Sequence, residues 1–123
     1  MCGFGGEIRF DDSPSDIAAV ARMTAAMARR GPDATGLAAQ GRVALGHRRL
    51  KIIDLSERAQ QPMVDAELGL TLAFNGCIYN YKDLRRQLQD AGYRFFSDGD
   101  TEVVLKAWHA WGVDAPKRFH GMF

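Results

Sequence analysis

A cysteine follows the initiator methionine directly, in MCGFGGEIRF. With Met1 removed, Cys2 carries a thiol and a free α-amine on one residue. A free thiol titrates near about 8.5 and a terminal amine near about 8. The amine can therefore act as general base for its own side chain, as in N-terminal threonine nucleophiles. A small apolar residue heading a buried strand accounts for the same position, because free cysteine packs as a small hydrophobe. Further along, FNGCIYNY (74–81) presents Asn75 and Gly76. An asparagine amide and a glycine N–H aimed at one oxygen stabilise a tetrahedral intermediate. Asn-Gly after a strand is equally a turn signal. GHRRLK (46–51) places Arg48 and Arg49 at a strand end. There a guanidinium fork grips a carboxylate at two points, or the pair is simply solvated. In SDGDTEVVL (97–105), Asp100 suits either a substrate ammonium or a helix cap, the latter worth about 1 kcal/mol.

Composition narrows the field. The 123 residues suffice for one domain with a modest core. Basic and acidic residues number 16 and 15, a net charge of +1. This near-balance gives no footing for nucleic acid or an anionic membrane as partner. No apolar run approaches the roughly 20 residues of a membrane span, and the N-terminus lacks a signal-peptide pattern, so the expected home is cytoplasmic. Thiols stay reduced there, and no disulfide between Cys2 and Cys77 is expected. The cysteines lack C-x-x-C spacing, and His47, His109 and His120 show no helical pairing, so no metal is expected. GFGG at 3–6 is no phosphate loop, since its glycines lie within a terminal strand.

Elements must hold these residues in place. CGFGGEIRF reads as a strand with Phe4, Ile8 and Phe10 on one face. Ser13 as cap, Pro14 as first helical residue and Asp16 closing a capping box open a helix. That helix carries Ile17, Val20, Thr24 and Met27 and stops at Gly31-Pro32. TGLAAQ and GRVALGHRRL form a hairpin around Gly41, and 54–70 is a long loop of the kind that carries function. GLTLAFNG is a strand. Asn80 caps a helix with Tyr81, Leu84 and Leu88, and YRFFS is a short strand. Val104, Ala107, Trp108 and Trp111 mark a last amphipathic helix, and RFHGMF leads into a further strand. The expected class is α+β, helices over a largely antiparallel sheet, with the sheet continuing past Phe123.

In this order, MCG, RRGPD (29–33), GHRRLKIIDLS (46–56), QQPM (60–63), FNGCIYNY, DTEVVL (100–105) and RFHGMF (118–123) carry a specific likeness. Nearly the whole chain resembles the N-terminal glutaminase domain of asparagine-synthetase-type, class II glutamine amidotransferases. MCGFGGEIRFDD and FNGCIYNY look most like the branch that makes N-acetylglutaminylglutamine amide.

The resemblance implies a four-layer αββα sandwich of the N-terminal-nucleophile type, here truncated, with residues 1–123 an incomplete glutaminase domain. It implies Cys2 as nucleophile toward the glutamine carboxamide, and Asn75 and Gly76 as oxyanion donors. Arg49 then binds the glutamine α-carboxylate and Asp100 its α-ammonium, while Leu50, Lys51, Ile52, Ile53 and Cys77 line the pocket. Arg30 shapes the neighbouring loop. Many asparagine synthetases have Asn-Gly-Glu where this chain has Asn75-Gly76-Cys77, which shifts ammonium recognition onto Asp100. No cofactor is implied for this domain. ATP and Mg belong to a C-terminal synthetase domain that receives the ammonia, and a homodimer is among the implied partners. Weak or no glutaminase activity is expected of residues 1–123 alone. Three other readings compete: a stand-alone N-terminal-nucleophile amidohydrolase, a catalytically silent glutamine-binding regulatory module, and a papain-like hydrolase, which lacks a histidine paired to Cys2.

Overall fold

The computed structural model describes residues 1–123. Strand β1 (Gly3–Ile8) is followed by helix α1 (Ile17–Ala26) and the hairpin strands β2 (Ala34–Gln40) and β3 (Val43–Arg49). Short strands β4 (Met63–Asp65), β5 (Leu70–Leu72) and β6 (Cys77–Ile78) come next. Helices α2 (Tyr81–Asp90) and α3 (Asp100–Trp111), a 3-10 segment over Gly112–Arg118 and strand β7 (Gly121–Met122) complete the chain. No helix is long and apolar enough to cross a membrane.

The architecture is mixed α and β, with antiparallel pairing throughout. A three-stranded sheet runs β1-β3-β2, and β4-β5 and β6-β7 form separate ribbons. Gly41 turns the β2–β3 hairpin at φ +55°, a conformation that favours glycine. Helix α1 lies on a glycine-lined face of the large sheet. A Cβ at Gly46 would stand 1.9 Å from Thr24 Oγ1, and one at Gly3 would stand 3.1 Å from Met27 Sδ. The bare backbone thus lets the helix approach closely. Phe4 and Ile8, on the opposite face of β1, are exposed, as is Phe10 beyond the strand.

A second centre of packing gathers Ile78, Leu84, Leu88, Val103, Ala107 and Ala115 between α2, α3 and the segment after α3. Each large aliphatic side chain buried there contributes about 1.5–3 kcal/mol. In α3 the inward stripe is Val103, Leu105, Lys106 and Ala107, while Trp108 is about half exposed.

Several local expectations change. Asp16, rather than Ser13, caps α1, its carboxylate accepting the Ala19 N–H at 3.0 Å, while Ser13 turns to Asp11. Asn80 sits at the N-cap of α2 without a side-chain cap bond. Its amide instead donates to the Arg118 carbonyl and accepts the His120 N–H, tying down the C-terminal segment. YRFFS forms no strand, because the N–H groups of Phe96 and Ser97 point at the buried Glu102 carboxylate, at 2.9 and 2.7 Å. The long loop holds a 3-10 turn at Glu57–Ala59 and the strand β4. RFHGMF does lead into a strand, and it pairs with Cys77–Ile78.

Candidate active site

The pairing of β1 with β3 sets Gly3 opposite Arg48. Antiparallel register then brings the residue before Gly3 alongside the residues after Arg48. The Cys2 Sγ accepts the Leu50 N–H at 3.3 Å and lies 3.7 Å from the Leu50 carbonyl oxygen. Arg30 Nε donates to the Cys2 carbonyl at 3.2 Å, fixing the backbone from the other side. Arg30, expected to shape the neighbouring loop, thus contacts the backbone of the cysteine itself.

Cys2 opens onto a cavity of about 410 Å³, a size suited to a small metabolite. Asn75, Gly76, Cys77 and Asp100 line it, as do Arg49, Leu50, Ile52 and Ile53. Lys51 does not. Its ammonium pairs with Glu57 and its N–H donates to Asp33 at 2.8 Å. These two bonds hold Lys51 outside the wall that Leu50, Ile52 and Ile53 form. Arg48 also stays outside, donating to the Gly31 carbonyl at 2.9 Å.

Arg49 is nearly buried, and two of its donors are engaged. Nη1 donates to the Ser56 carbonyl at 2.8 Å and Nη2 to the Asp54 carbonyl. The guanidinium therefore orders the loop at 54–56 as well as facing the cavity. Asp54 answers from the same loop, accepting the N–H groups of Ser56 and Asp98, each at 2.8 Å. Burial works to raise the Asp54 carboxyl, but the bonds from Ser56 and Asp98 and the Arg49 charge hold it below the ordinary carboxylate value.

Asp100 is the first residue of α3, with Gly99 at the cap position. Its carboxylate reaches back to accept the Ile78 N–H at 2.9 Å. Burial raises its pKa, against the hydrogen bonds from Ile78 and the helix N-terminus that favour the anion. A carboxyl with a shifted pKa beside a cavity marks a candidate functional group. Cys77 is pushed the opposite way for a nucleophile, as burial first and the Asp100 charge second keep its thiol protonated.

Asn75 and Gly76 lie between β5 and β6, outside any ladder. A Cβ at Gly76 would stand 2.4 Å from the Met122 carbonyl oxygen, so the chain passes too close there for a side chain. Gln61, Thr101, Asp54 and Phe74 also line the cavity, and the buried His47 bonds the Phe74 carbonyl at 3.0 Å. Sequence reasoning assigned these residues no role, although QQPM and GHRRLK contain Gln61 and His47. No group of three or more His, Cys, Asp or Glu side chains converges as metal ligands would.

Comparison with known proteins adds a family. A glutamine amidotransferase domain family matches residues 1–123. The chain belongs to that family. It is 38% identical over 128 residues to the glutamine-hydrolyzing asparagine synthetase 1 of Bacillus subtilis, covering all of this chain and 20% of that protein. Against the glutamine-hydrolyzing asparagine synthetase of Asparagus officinalis, identity is 35% over 124 residues, with 100% of this chain and 20% of that protein covered. The putative asparagine synthetase 2 of Methanocaldococcus jannaschii is 35% identical over 141 residues, covering 100% of this chain and 27% of that protein. This amidotransferase domain thus spans about a fifth to a quarter of the length of these relatives. The family agrees with the likeness read from the motifs.

Proposed function

We propose that this domain hydrolyses the side-chain amide of glutamine and supplies the ammonia to an ATP-dependent amidation. The supporting observation is that Cys2, Asn75, Gly76, Arg49 and Asp100 border one cavity although they span almost the whole chain. In this reading, loss of Met1 leaves Cys2 with a free α-amine, which takes the thiol proton. The sulfur attacks the carboxamide carbon, and Asn75 and Gly76 donate to the oxyanion. As the tetrahedral intermediate collapses, the C–N bond breaks and the nitrogen takes the proton held by the amine. Ammonia departs and a glutamyl thioester remains. Water then adds to the thioester with a proton passing to the amine, and collapse returns the thiol and glutamate. Arg49 grips the substrate carboxylate, and Asp100 its ammonium.

The finer expectations belong to the same proposal. The domain forms part of a four-layer αββα sandwich, and it works beside a C-terminal synthetase domain that binds ATP and Mg in a cytoplasmic enzyme. The product is asparagine or, by the motifs quoted above, N-acetylglutaminylglutamine amide. Homodimerisation is part of this reading. A diazo-ketone analogue of glutamine, incubated with the full-length protein, tests the core of it. Mass spectrometry should find the label on Cys2 of a chain lacking Met1. A label on Cys77 would overturn the site assignment, and an unlabelled protein with Met1 retained would indicate a silent glutamine-binding module.

A further inference from the structure

Phe74 immediately precedes the Asn75–Gly76 pair, in a stretch that no strand holds, since β5 ends at Leu72 and β6 begins at Cys77. Backbone groups in such a stretch need partners from elsewhere. Both polar groups of Phe74 find side chains. Its N–H donates to Gln61 Oε1 at 2.6 Å, and its carbonyl accepts from His47 Nε2 at 3.0 Å. The two come from opposite sides: Gln61 from the loop before β4, His47 from β3.

We propose that Gln61 and His47 act as a two-sided clamp on the Phe74 backbone that positions the Asn75–Gly76 donors over Cys2. The inference rests on the glutaminase reading and adds positioning residues to it.

Three features favour positioning over general packing. Both side chains are buried, Gln61 at 4% exposure and His47 at 0%, so water does not stand in for either. Each is anchored to another part of the site. Gln61 Nε2 reaches Thr101 Oγ1 at 3.4 Å, next to Asp100, while His47 lies two positions before Arg49 on the same strand. The clamp therefore ties the oxyanion pair to the residues facing the ends of the substrate. Finally, the Gln61 backbone is itself wedged against β2, where a Cβ at Gly36 would stand 2.1 Å from the Gln61 carbonyl oxygen. Because a carbonyl only accepts, the proton of neutral His47 sits on Nε2. Its Nδ1 has no partner, so the imidazole's hydrogen bonding is committed to Phe74.

A clamp that places transition-state donors acts on turnover more than on substrate binding. The test measures glutamine hydrolysis by the full-length protein, with folding checked by thermal melting. Gln61→Met removes the acceptor, and we expect kcat to fall about 10- to 100-fold with KM changed by less than about threefold. Gln61→Glu keeps an acceptor for the Phe74 N–H and can accept the Thr101 hydroxyl proton, so it should recover part of that loss. His47→Gln, whose Nε2 overlays the imidazole Nε2, should likewise outperform His47→Leu, and this pair decides the matter if Gln61→Met does not fold. A folded Gln61→Met with kcat within about twofold of the parent, or a rise in KM alone, overturns the clamp. So does a His47→Gln no better than His47→Leu. A parent protein that does not hydrolyse glutamine overturns the glutaminase reading itself, and the clamp with it.

Discussion

The Leu50 N–H points at the Cys2 Sγ from 3.3 Å, across 48 positions of sequence. That bond locates the thiol at the end of β3, where Arg49 enters the cavity wall. It also explains why the two blocks at 2–8 and 43–50 must be read together. The β1–β3 ladder aligns them, and the sulfur takes its place one step beyond the last pairing.

Cys2→Ala should abolish glutamine-dependent product formation in the full-length protein while leaving synthesis from added ammonium intact. Paired assays with the two nitrogen donors check this. Loss of both activities would mean that Cys2 serves the fold, since its thiol and carbonyl also bond Leu50 and Arg30.

Asp100 must be ionised to hold an ammonium, and burial raises its pKa. In the proposed reaction, kcat/KM for glutamine should therefore fall as pH drops through a value above the 3.8 of an ordinary aspartate. For folding the sign is opposite. A raised pKa means the native state binds the proton more readily, so this carboxyl's stabilising contribution is present at low pH and is lost as pH rises through its folded value. Asp100→Asn should remove the acid limb attributable to this group and raise KM. A pH–rate profile of both proteins decides it, and an unchanged acid limb in the variant would count against the assignment.

Lys106 lies buried between two carboxylates, 2.9 Å from Asp65 and 2.8 Å from Glu102. Lys106→Met leaves both acids without their cation and should cost about 3–5 kcal/mol. In the parent protein burial tends to raise the Asp65 carboxyl, but the Lys106 bond and the Leu68 N–H hold it low. Its contribution is thus present above the unfolded value and lost as pH falls through the folded one. Without Lys106 only the backbone N–H bonds oppose burial, so this contribution shrinks and the variant's stability should fall less steeply on acidification than the parent's. Urea melts across pH would show this, and parallel curves for the two proteins would refute it.

Gly36→Ala should destabilise the fold by about 1–3 kcal/mol, because its Cβ would meet the Gln61 carbonyl oxygen at 2.1 Å, a backbone atom that cannot rotate away. Thermal unfolding measures the loss. A variant as stable as the parent would mean that the loop at 60–61 yields freely.

Helices and strands were readable wherever periodicity or a turn residue marked them. The hairpin at Gly41 and the helices from Ile17 and Tyr81 follow from local pattern. YRFFS misled because its apolar run looks like a strand, yet the N–H groups of Phe96 and Ser97 are captured by Glu102, five to six positions on, whose carboxylate is buried only once α3 packs. Asn80 looked like a cap and instead holds the chain near His120, 40 positions away.

For the site, residue types that perform chemistry are conspicuous in a sequence. A terminal cysteine, an Asn-Gly pair, an arginine at a strand end and an aspartate before a helix each advertise a capability. Which of them share a cavity is a matter of pairing register and loop closure, and those were settled by the ladder between β1 and β3 and by the carboxylate of Asp100 reaching Ile78. The supporting residues were invisible for the same reason. Gln61 and His47 are ordinary polar side chains until burial strips them of water and leaves Phe74 as their partner. Chemical identity is local and is written residue by residue. Desolvation and distance belong to the folded chain, and they decide which identities act together.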